Sequence, residues 1–189
     1  MESVKAVTEL VRFARKTGSY VYSTAGLAKL LHEPRCEGTI HETLRRLVSQ
    51  DVLVRPTRGV YVLDVMTDDE VLYQIADVAR HRELKAEPLE TAGSKWGIIS
   101  QVYFDYLTCV TTGRSGTIEC KYGQVDFVHT EMGKRELRER CARQDRGPFG
   151  FLLTNEETTR LFLRRTGRAK DLVDEDKETF ERGRYELMP

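Results

Sequence analysis

Between Thr39 and Ser49 two kinds of residue share one helical period. Ile40, Leu44, Leu47 and Val48 fall at i, i+4, i+7 and i+8, the spacing of a buried helix stripe. Thr39, His41, Glu42, Arg45, Arg46 and Ser49 fall on the other side. Reading base edges in a DNA major groove requires this pairing: an apolar stripe that fixes the helix and a polar face that presents donors and acceptors. The Arg45 guanidinium can donate two parallel hydrogen bonds to guanine O6 and N7. Thr39, His41 and Glu42 sit near the helix N-terminus, the end that usually enters the groove. Arg46 and Lys29 suit phosphates, contacts that make binding salt-dependent. Arg55, Thr57 and Arg58 flank a turn and reach toward an adjacent backbone or minor groove. A solvated helix face beside a hairpin has the same pattern, and Glu42 on the polar face counts against DNA.

The elements that must hold these residues read as one unit. Val4, Val7, Leu10, Val11 and Ala14 repeat at helical spacing, which predicts a helix over residues 2–16 closed by Gly18. Tyr20-Val21-Tyr22 is a β-type run. Ser23 or Thr24 caps a second helix that buries Leu27, Leu30 and Leu31 and stops before Pro34. The third helix spans about 38–50. Val52-Leu53-Val54 and Val60-Tyr61-Val62-Leu63 follow, with Pro56-Thr57-Arg58-Gly59 as a hairpin turn between them. Helix, short strand, helix, helix, hairpin is the order of a winged helix-turn-helix, here residues 1–66.

Thr67-Asp68-Asp69-Glu70 reads as a capping box before a helix to about Leu84, which closes the first domain or links it to a second. Lys85-Ala86-Glu87-Pro88 reads as the linker, so residues 67–88 form the connection. Residues 89–189 read as a small mixed domain, giving an α+β chain overall. A short helix near Thr91–Trp96 precedes strands at Tyr106–Thr112, Thr117–Cys120 and Val125–His129, and then a charged helix from Lys134 to Arg143. Thr154-Asn155-Glu156-Glu157 reads as a second capping box, before a helix through Arg165. The tail from Asp171 alternates in charge sign. Trp96 is expected in the second core with its N–H satisfied.

The chain has 189 residues, 40% hydrophobic and 32% charged, with no net charge. The zero conceals an asymmetry. Residues 1–63 hold 10 Lys and Arg against 6 Asp and Glu, a balance of +4, and the remainder carries −4. No apolar run approaches the roughly 20 residues of a membrane-spanning helix. The opening Met1–Lys5 has no separate apolar region or cleavage motif, which predicts a cytoplasmic protein without a signal peptide. Cys36, Cys109, Cys120 and Cys141 lack CxxC spacing and are expected as free thiols. His32, His41, His81 and His129 show neither HxxxH nor HExxH spacing, and His32, Cys36 and His41 lack a fourth obvious ligand. No metal, no cofactor and no enzymatic activity are expected.

One turn raises another chemistry. Thr111-Thr112-Gly113-Arg114-Ser115-Gly116 would form an anion-binding nest if its backbone amides converged, with Thr112, Arg114 and Ser115 as ligands. A polar hairpin turn fits the same residues better. Lys134, Arg135, Arg138, Arg140, Arg143 and Arg146 against Glu136, Glu139 and Asp145 read as an exposed helix, or as a docking face for an acidic partner or phosphates.

The block Pro88-Leu89-Glu90-Thr91-Ala92-Gly93-Ser94-Lys95-Trp96-Gly97-Ile98-Ile99-Ser100-Gln101, with Leu107-Thr108-Cys109-Val110-Thr111-Thr112-Gly113-Arg114-Ser115 after it, resembles the AbiEi family of antitoxins. Gly123-Gln124-Val125-Asp126-Phe127-Val128-His129 resembles the strand that follows in that family. The resemblance covers roughly residues 5–130. These antitoxins belong to bacterial type IV toxin–antitoxin systems linked to abortive phage infection. The resemblance implies a non-enzymatic repressor whose winged helix binds inverted repeats in the double-stranded operator DNA of its own promoter. Two copies would occupy the repeats, each a monomer or weak dimer off DNA. It implies a second domain that counters a nucleotidyltransferase-like toxin without a stable complex. Two rivals remain: a stand-alone winged-helix regulator, and an RNA- or phosphate-binding protein, or an enzyme, built on the Thr111–Gly116 turn and the basic helix.

Overall fold

The computed structural model of the chain describes residues 2–31, 37–87, 90–99, 105–146, 149 and 151–166. Seven α-helices and nine strands in two sheets occur among them, a mixed α+β architecture. The chain divides into two compact units. One is Met1–Arg82 with Ile118–Gly123, and the other is Glu83–Thr117 with Gln124–Pro189.

The first unit begins with α1 (Glu2–Thr17), β1 (Val21–Ser23), α2 (Thr24–Leu30) and α3 (Glu37–Ser49). The strands β2 (Leu53–Thr57) and β3 (Val60–Leu63), a 3-10 turn (Asp64–Met66) and α4 (Val71–Ala79) follow. Periodicity sets the helices. Leu10, Leu27, Leu44, Leu47 and Ile75 converge from four of them and are fully buried, as are Leu53, Val62 and Leu63 of the sheet. Each such side chain contributes about 1.5–3 kcal/mol of transfer free energy. Gly18 closes α1 with φ +72°, and its amide donates to the Ala14 carbonyl at 2.8 Å. Ser23 caps α2, its Oγ accepting from the Gly26 amide at 3.0 Å.

The small sheet has the order β1-β3-β2, antiparallel throughout. Val21, Tyr22 and Ser23 pair with Val62, Tyr61 and Val60. Val54 pairs with Val62 and Thr57 with Val60, so Arg55 and Pro56 together oppose Tyr61 in a bulge. Pro56 is tolerated because β2 is an edge strand, where its missing N–H breaks no ladder bond. The turn is therefore Arg58-Gly59 alone, shorter than the expected four residues, with Gly59 at φ +80°.

The helix expected to connect the domains is shorter than its pattern and packs on β1 and β3 of the first unit. Its capping box is not formed. Glu70 is the N-cap without a side-chain bond, and Asp68 Oδ1 instead accepts from the Glu70 amide at 2.9 Å. Lys85–Glu87, expected as the linker, is a buried strand, β4. It lies inside a six-stranded sheet of order β6-β7-β5-β4-β9-β8. The other strands are β5 (Tyr106–Thr111), β6 (Gly116–Cys120), β7 (Gly123–His129), β8 (Cys141–Arg146) and β9 (Leu152–Thr154). β4 is antiparallel to β5 and parallel to β9.

The helices of this unit are α5 (Glu90–Lys95), α6 (Lys134–Glu139) and α7 (Glu156–Thr166). Residues 141–143, expected as the end of the charged helix, open β8 instead. Ala86, Ile98, Val110, Leu137, Phe162 and Leu163 form the core. Trp96 packs against it and donates its indole N–H to the Thr154 carbonyl at 3.0 Å, as expected. Asn155, one residue later than expected, caps α7, its Oδ1 accepting from the Thr158 amide at 2.9 Å. Cys109 and Cys141 are buried free thiols and Cys120 is half-buried; Cys36 lies outside the described residues. No described helix is long and apolar enough to cross a membrane.

Candidate nucleic-acid interface

The interface starts from one helix with two faces. Ile40, Thr43, Leu44 and Leu47 of α3 are buried. His41, Glu42, Arg45, Arg46 and Ser49 are exposed on the opposite side. Thr39 lies in the first turn of α3, its side chain outside the described residues. Ser49 turns its hydroxyl back to the Arg46 carbonyl at 2.8 Å. The exposed face therefore presents two guanidinium groups, an imidazole and one carboxylate. That chemistry matches guanine edges and phosphates, with Glu42 able to accept from a cytosine amine.

The hairpin and α2 carry the remaining candidates. Lys29 is exposed in the last turn of α2. α3 ends in a tight turn, the Asp51 and Val52 amides donating to Val48 and Leu47 carbonyls, and enters β2 directly. Asp51 takes the left-handed conformation at φ 54°, which Asp tolerates better than most residues. The hairpin tip is one strand length further on, about 17 Å at 3.4 Å per residue. Arg55 and Arg58 are exposed and Thr57 is half-buried. The Arg55 guanidinium lies 5.9 Å from the centroid of the Tyr61 ring on the strand opposite. The structure thus brings His41, Glu42, Arg45 and Arg46 onto one face, and puts Arg55 and Arg58 on a separate element.

A positioning residue is missed by sequence reasoning. Gln74 of α4 is only 3% exposed. Its Oε1 accepts from the Tyr20 amide at 3.0 Å and the Val21 amide at 3.2 Å, and its Nε2 donates to the Gly18 carbonyl at 2.9 Å. It ties the start of β1 to α4, and β1 runs directly into the Ser23 cap of α2. An amide among Val71, Leu72, Ile75 and Ala76 breaks the apolar pattern of α4, the one signal for it in the sequence. Beside it, burial and a hydrogen bond to Asp68 hold the Tyr20 phenol well above its ordinary pKa. Burial pushes Tyr22 up to about 12. Both stay neutral at physiological pH.

Asp64 in the 3-10 turn accepts from Lys121 Nζ and from the Tyr122 hydroxyl, each at 2.6 Å. Those two bonds hold its carboxyl below the usual range. Lys121 and Tyr122 belong to the Ile118–Gly123 segment that groups with the first unit.

The Thr111–Gly116 segment has a different form from the expected hairpin. β7 lies between β5 and β6, and β5 and β7 are parallel from Tyr106↔Gln124 to Thr111↔His129. The segment therefore crosses the end of β7. Ser115 Oγ accepts from the His129 amide at 2.9 Å, and His129 Nδ1 lies 2.7 Å from the Gly113 carbonyl. The Thr112 amide donates to the Leu84 carbonyl at 3.3 Å and the Gly113 amide to Thr111 Oγ1 at 3.1 Å. Thr111 Oγ1 in turn donates to Glu83 Oε2 at 2.8 Å. A Cβ at Gly113 would strike the Glu83 carboxylate. These amides are engaged internally beside a negative charge, a poor nest for phosphate. Arg114 is exposed.

A cleft of about 680 Å³ in the second unit is lined by His129, Glu131, Glu136, Arg140 and Phe162, among others. Arg140 pairs with Glu136 at 3.3 Å and Arg135 with Glu139 at 2.8 Å, which neutralises part of the basic helix. No group of three or more His, Cys, Asp or Glu residues able to hold a metal ion occurs among the described residues. His32 and Cys36 lie outside them.

No protein-family model matches the chain, and no curated protein matches it. The crystal structure of the RV2827C protein from Mycobacterium tuberculosis is similar in fold, with a TM-score of 0.57 at 12% sequence identity. The similarity covers 95% of this chain and 72% of that one. At that identity the likeness concerns the fold alone.

Proposed function

We propose that the chain is a DNA-binding transcriptional repressor of its own operon that also acts as an antitoxin of the AbiEi type. In this reading α1 to β3 form a winged helix, α3 is the recognition helix, and β2–β3 is the wing. The observation that carries the DNA reading is the exposed His41–Glu42–Arg45–Arg46 face on a helix anchored by Ile40, Leu44 and Leu47. Arg45 is the base-reading residue; Arg46, Lys29, Arg55 and Arg58 hold phosphates. The +4 balance of residues 1–63 draws that part of the chain to a polyanion. Two copies bind inverted half-sites about one helical turn apart.

The antitoxin part rests on the resemblance of the Pro88–Gln101 and Leu107–Ser115 blocks. In this reading the second unit antagonises a nucleotidyltransferase-like toxin without a stable complex, and no catalysis is involved. The committed carboxylate and amides around Gly113 disfavour the rival use of that turn as a phosphate site.

Two experiments test the proposal. The full-length protein is titrated onto duplex DNA from upstream of its own gene and onto a scrambled duplex of equal length. Preference for the upstream duplex is expected, and equal affinity removes the repressor reading. The adjacent open reading frame is then expressed with and without this protein. Growth rescue is expected; toxicity without rescue at comparable expression removes the antitoxin reading and leaves a stand-alone regulator.

A further inference from the structure

The cleft at the end of β7 lies wholly within the second unit and serves no part of the DNA reading. We infer that it binds an organic cation, a guanidinium or ammonium group carried on an apolar stem.

The sheet sets the place. β5 and β7 run parallel and side by side, and Val128 and His129, which line the cleft, close β7. Ligands of open sheets settle beyond the carboxyl ends of parallel strands. At about 680 Å³ the cleft falls in the range of small-ligand sites, about 300–1,000 Å³. Its walls are held from behind. The Thr130 amide donates to the Thr111 carbonyl at 3.0 Å, and Thr130 Oγ1 accepts from the Met132 amide at 3.3 Å, which fixes the turn that carries Glu131. Leu137 is fully buried and pins α6, whose Glu136 and C-cap Arg140 form the wall on that side.

The charges select the ligand. Arg140 Nε donates to Glu136 Oε1 at 3.3 Å, so that guanidinium already faces a carboxylate and the pair is neutral. Glu131 is exposed and has no hydrogen bond or ion pair among the described residues, which leaves the cleft one unmatched negative charge. His129 adds an acceptor. Its Nδ1 lies 2.7 Å from the Gly113 carbonyl, which can only accept, so Nδ1 carries the proton and Nε2 of the neutral ring keeps a lone pair. An anion would meet Glu131 and gain only an arginine that is already paired. An uncharged apolar ligand would strip water from the Glu131 carboxylate and give it no partner. A guanidinium or ammonium supplies the donors that Glu131 and His129 Nε2 lack. Val128, Met132 and Leu161 are half-buried on the same walls and offer apolar surface to the stem. A free alkylguanidine or alkylamine carries this chemistry, and so does an arginine or lysine side chain in a peptide.

The test follows the backbone amides of the isotope-labelled full-length protein by NMR. Butylguanidinium, butanesulfonate and butanol are titrated separately, and acetyl-arginine methylamide presents the cation on a peptide frame. Saturable shifts at residues 128–132, Leu161 and Phe162 are expected with butylguanidinium, weaker ones with butanol and none with butanesulfonate. Glu131→Gln is expected to weaken butylguanidinium about fivefold, the upper end for a partly exposed ion pair, while Glu131→Asp keeps most of the affinity. The amide spectrum of each variant shows that it is folded. Tighter binding of acetyl-arginine methylamide than of butylguanidinium identifies a peptide side chain as the source, and the reverse identifies a free small molecule; both support the site. Butanesulfonate or butanol shifting these amides as strongly as the cation overturns the inference. Equal affinity in folded Glu131→Gln and the wild type overturns it as well, as do cation shifts spread over other acidic residues with none at the cleft. None of these outcomes bears on the DNA reading, which is judged by the duplex titration.

Discussion

Removing the Gln74 side chain isolates the contact that positions β1 and the cap of α2. In Gln74→Ala the Tyr20 and Val21 amides lose their acceptor and the Gly18 carbonyl loses its donor. Gly18 is exposed, so its carbonyl turns to water at little cost. Tyr20 and Val21 are 3% and 5% exposed, and their amides have no such recourse. A buried polar group left unpaired costs about 1–3 kcal/mol. Two of them set the range at about 2–6 kcal/mol, and entry of a water into the vacated space brings the expected loss to about 2–4 kcal/mol. The assay is urea unfolding of the full-length protein, paired with hydrogen exchange at the two amides. Exchange at Tyr20 and Val21 is expected to accelerate ahead of the rest of the first unit. Gln74→Leu is expected to lose about as much, because it fills the space without supplying an acceptor. A stability loss under about 0.5 kcal/mol, the range of an ordinary surface change, refutes the reasoning if both amides also stay protected.

Further outcomes follow from other contacts. Under the proposed DNA reading, Arg45→Ala is expected to lower affinity for the duplex from upstream of the gene by about 1–3 kcal/mol and to relax preference at one base pair; equal loss on scrambled DNA shows a phosphate contact instead. Gly59→Ala is expected to cost about 1–2 kcal/mol of stability from the left-handed backbone alone, since the added carbon meets only Thr24 Oγ1 at 3.8 Å. An unchanged melting temperature would mean that the turn changes type. Asp64 has a carboxyl pKa lowered in the folded state, so its contribution is present above the ordinary carboxylate range and is lost as pH falls through the folded value. Urea midpoints followed from neutral pH to about pH 3 are expected to fall less steeply in Asp64→Asn than in the wild type. Identical profiles would show that the Lys121 and Tyr122 bonds contribute nothing.

The legible parts of the fold share a cause. α1 and α3 announced themselves because Leu10 and Ala14, and Ile40, Leu44 and Leu47, follow the 3.6-residue period of the helix itself, whereas α2 buries Leu27 alone and leaves the expected Leu30 and Leu31 half-buried. Gly18 at the end of α1 and Ser23 at the start of α2 are caps, whose partners lie within four residues. The candidate interface was legible for the same reason, because a face of one helix is a matter of spacing. The recurring misses were of another kind. Lys85-Ala86-Glu87 has two charged residues in three and reads as a linker, yet it is buried because β5 and β9 pair with it on both sides. Thr67–Glu70 has capping-box spacing, but the Thr67 hydroxyl donates back to the Asp64 carbonyl at 3.1 Å and the helix begins only at Val71.

The sequence by itself determined where the helices begin, though not where α4 and α6 end, which residues of α3 face outward, and that residues 1–63 carry the positive balance. Each depends on local period or on counting. Only the tertiary structure decided that β7 would slip between β5 and β6, which turned Thr111–Gly116 from a hairpin into a crossover, and that the Glu83 carboxylate would meet the Thr111 hydroxyl beside Gly113. It alone decided that the hairpin tip would be tied to Thr24, and that Gln74 would serve as the joint of the first unit. Strand order, the buried partner of a polar side chain and the reach of a turn depend on residues tens of positions apart. Those contacts form when burial and backbone hydrogen bonding are satisfied together across the unit, and no spacing along the chain encodes them.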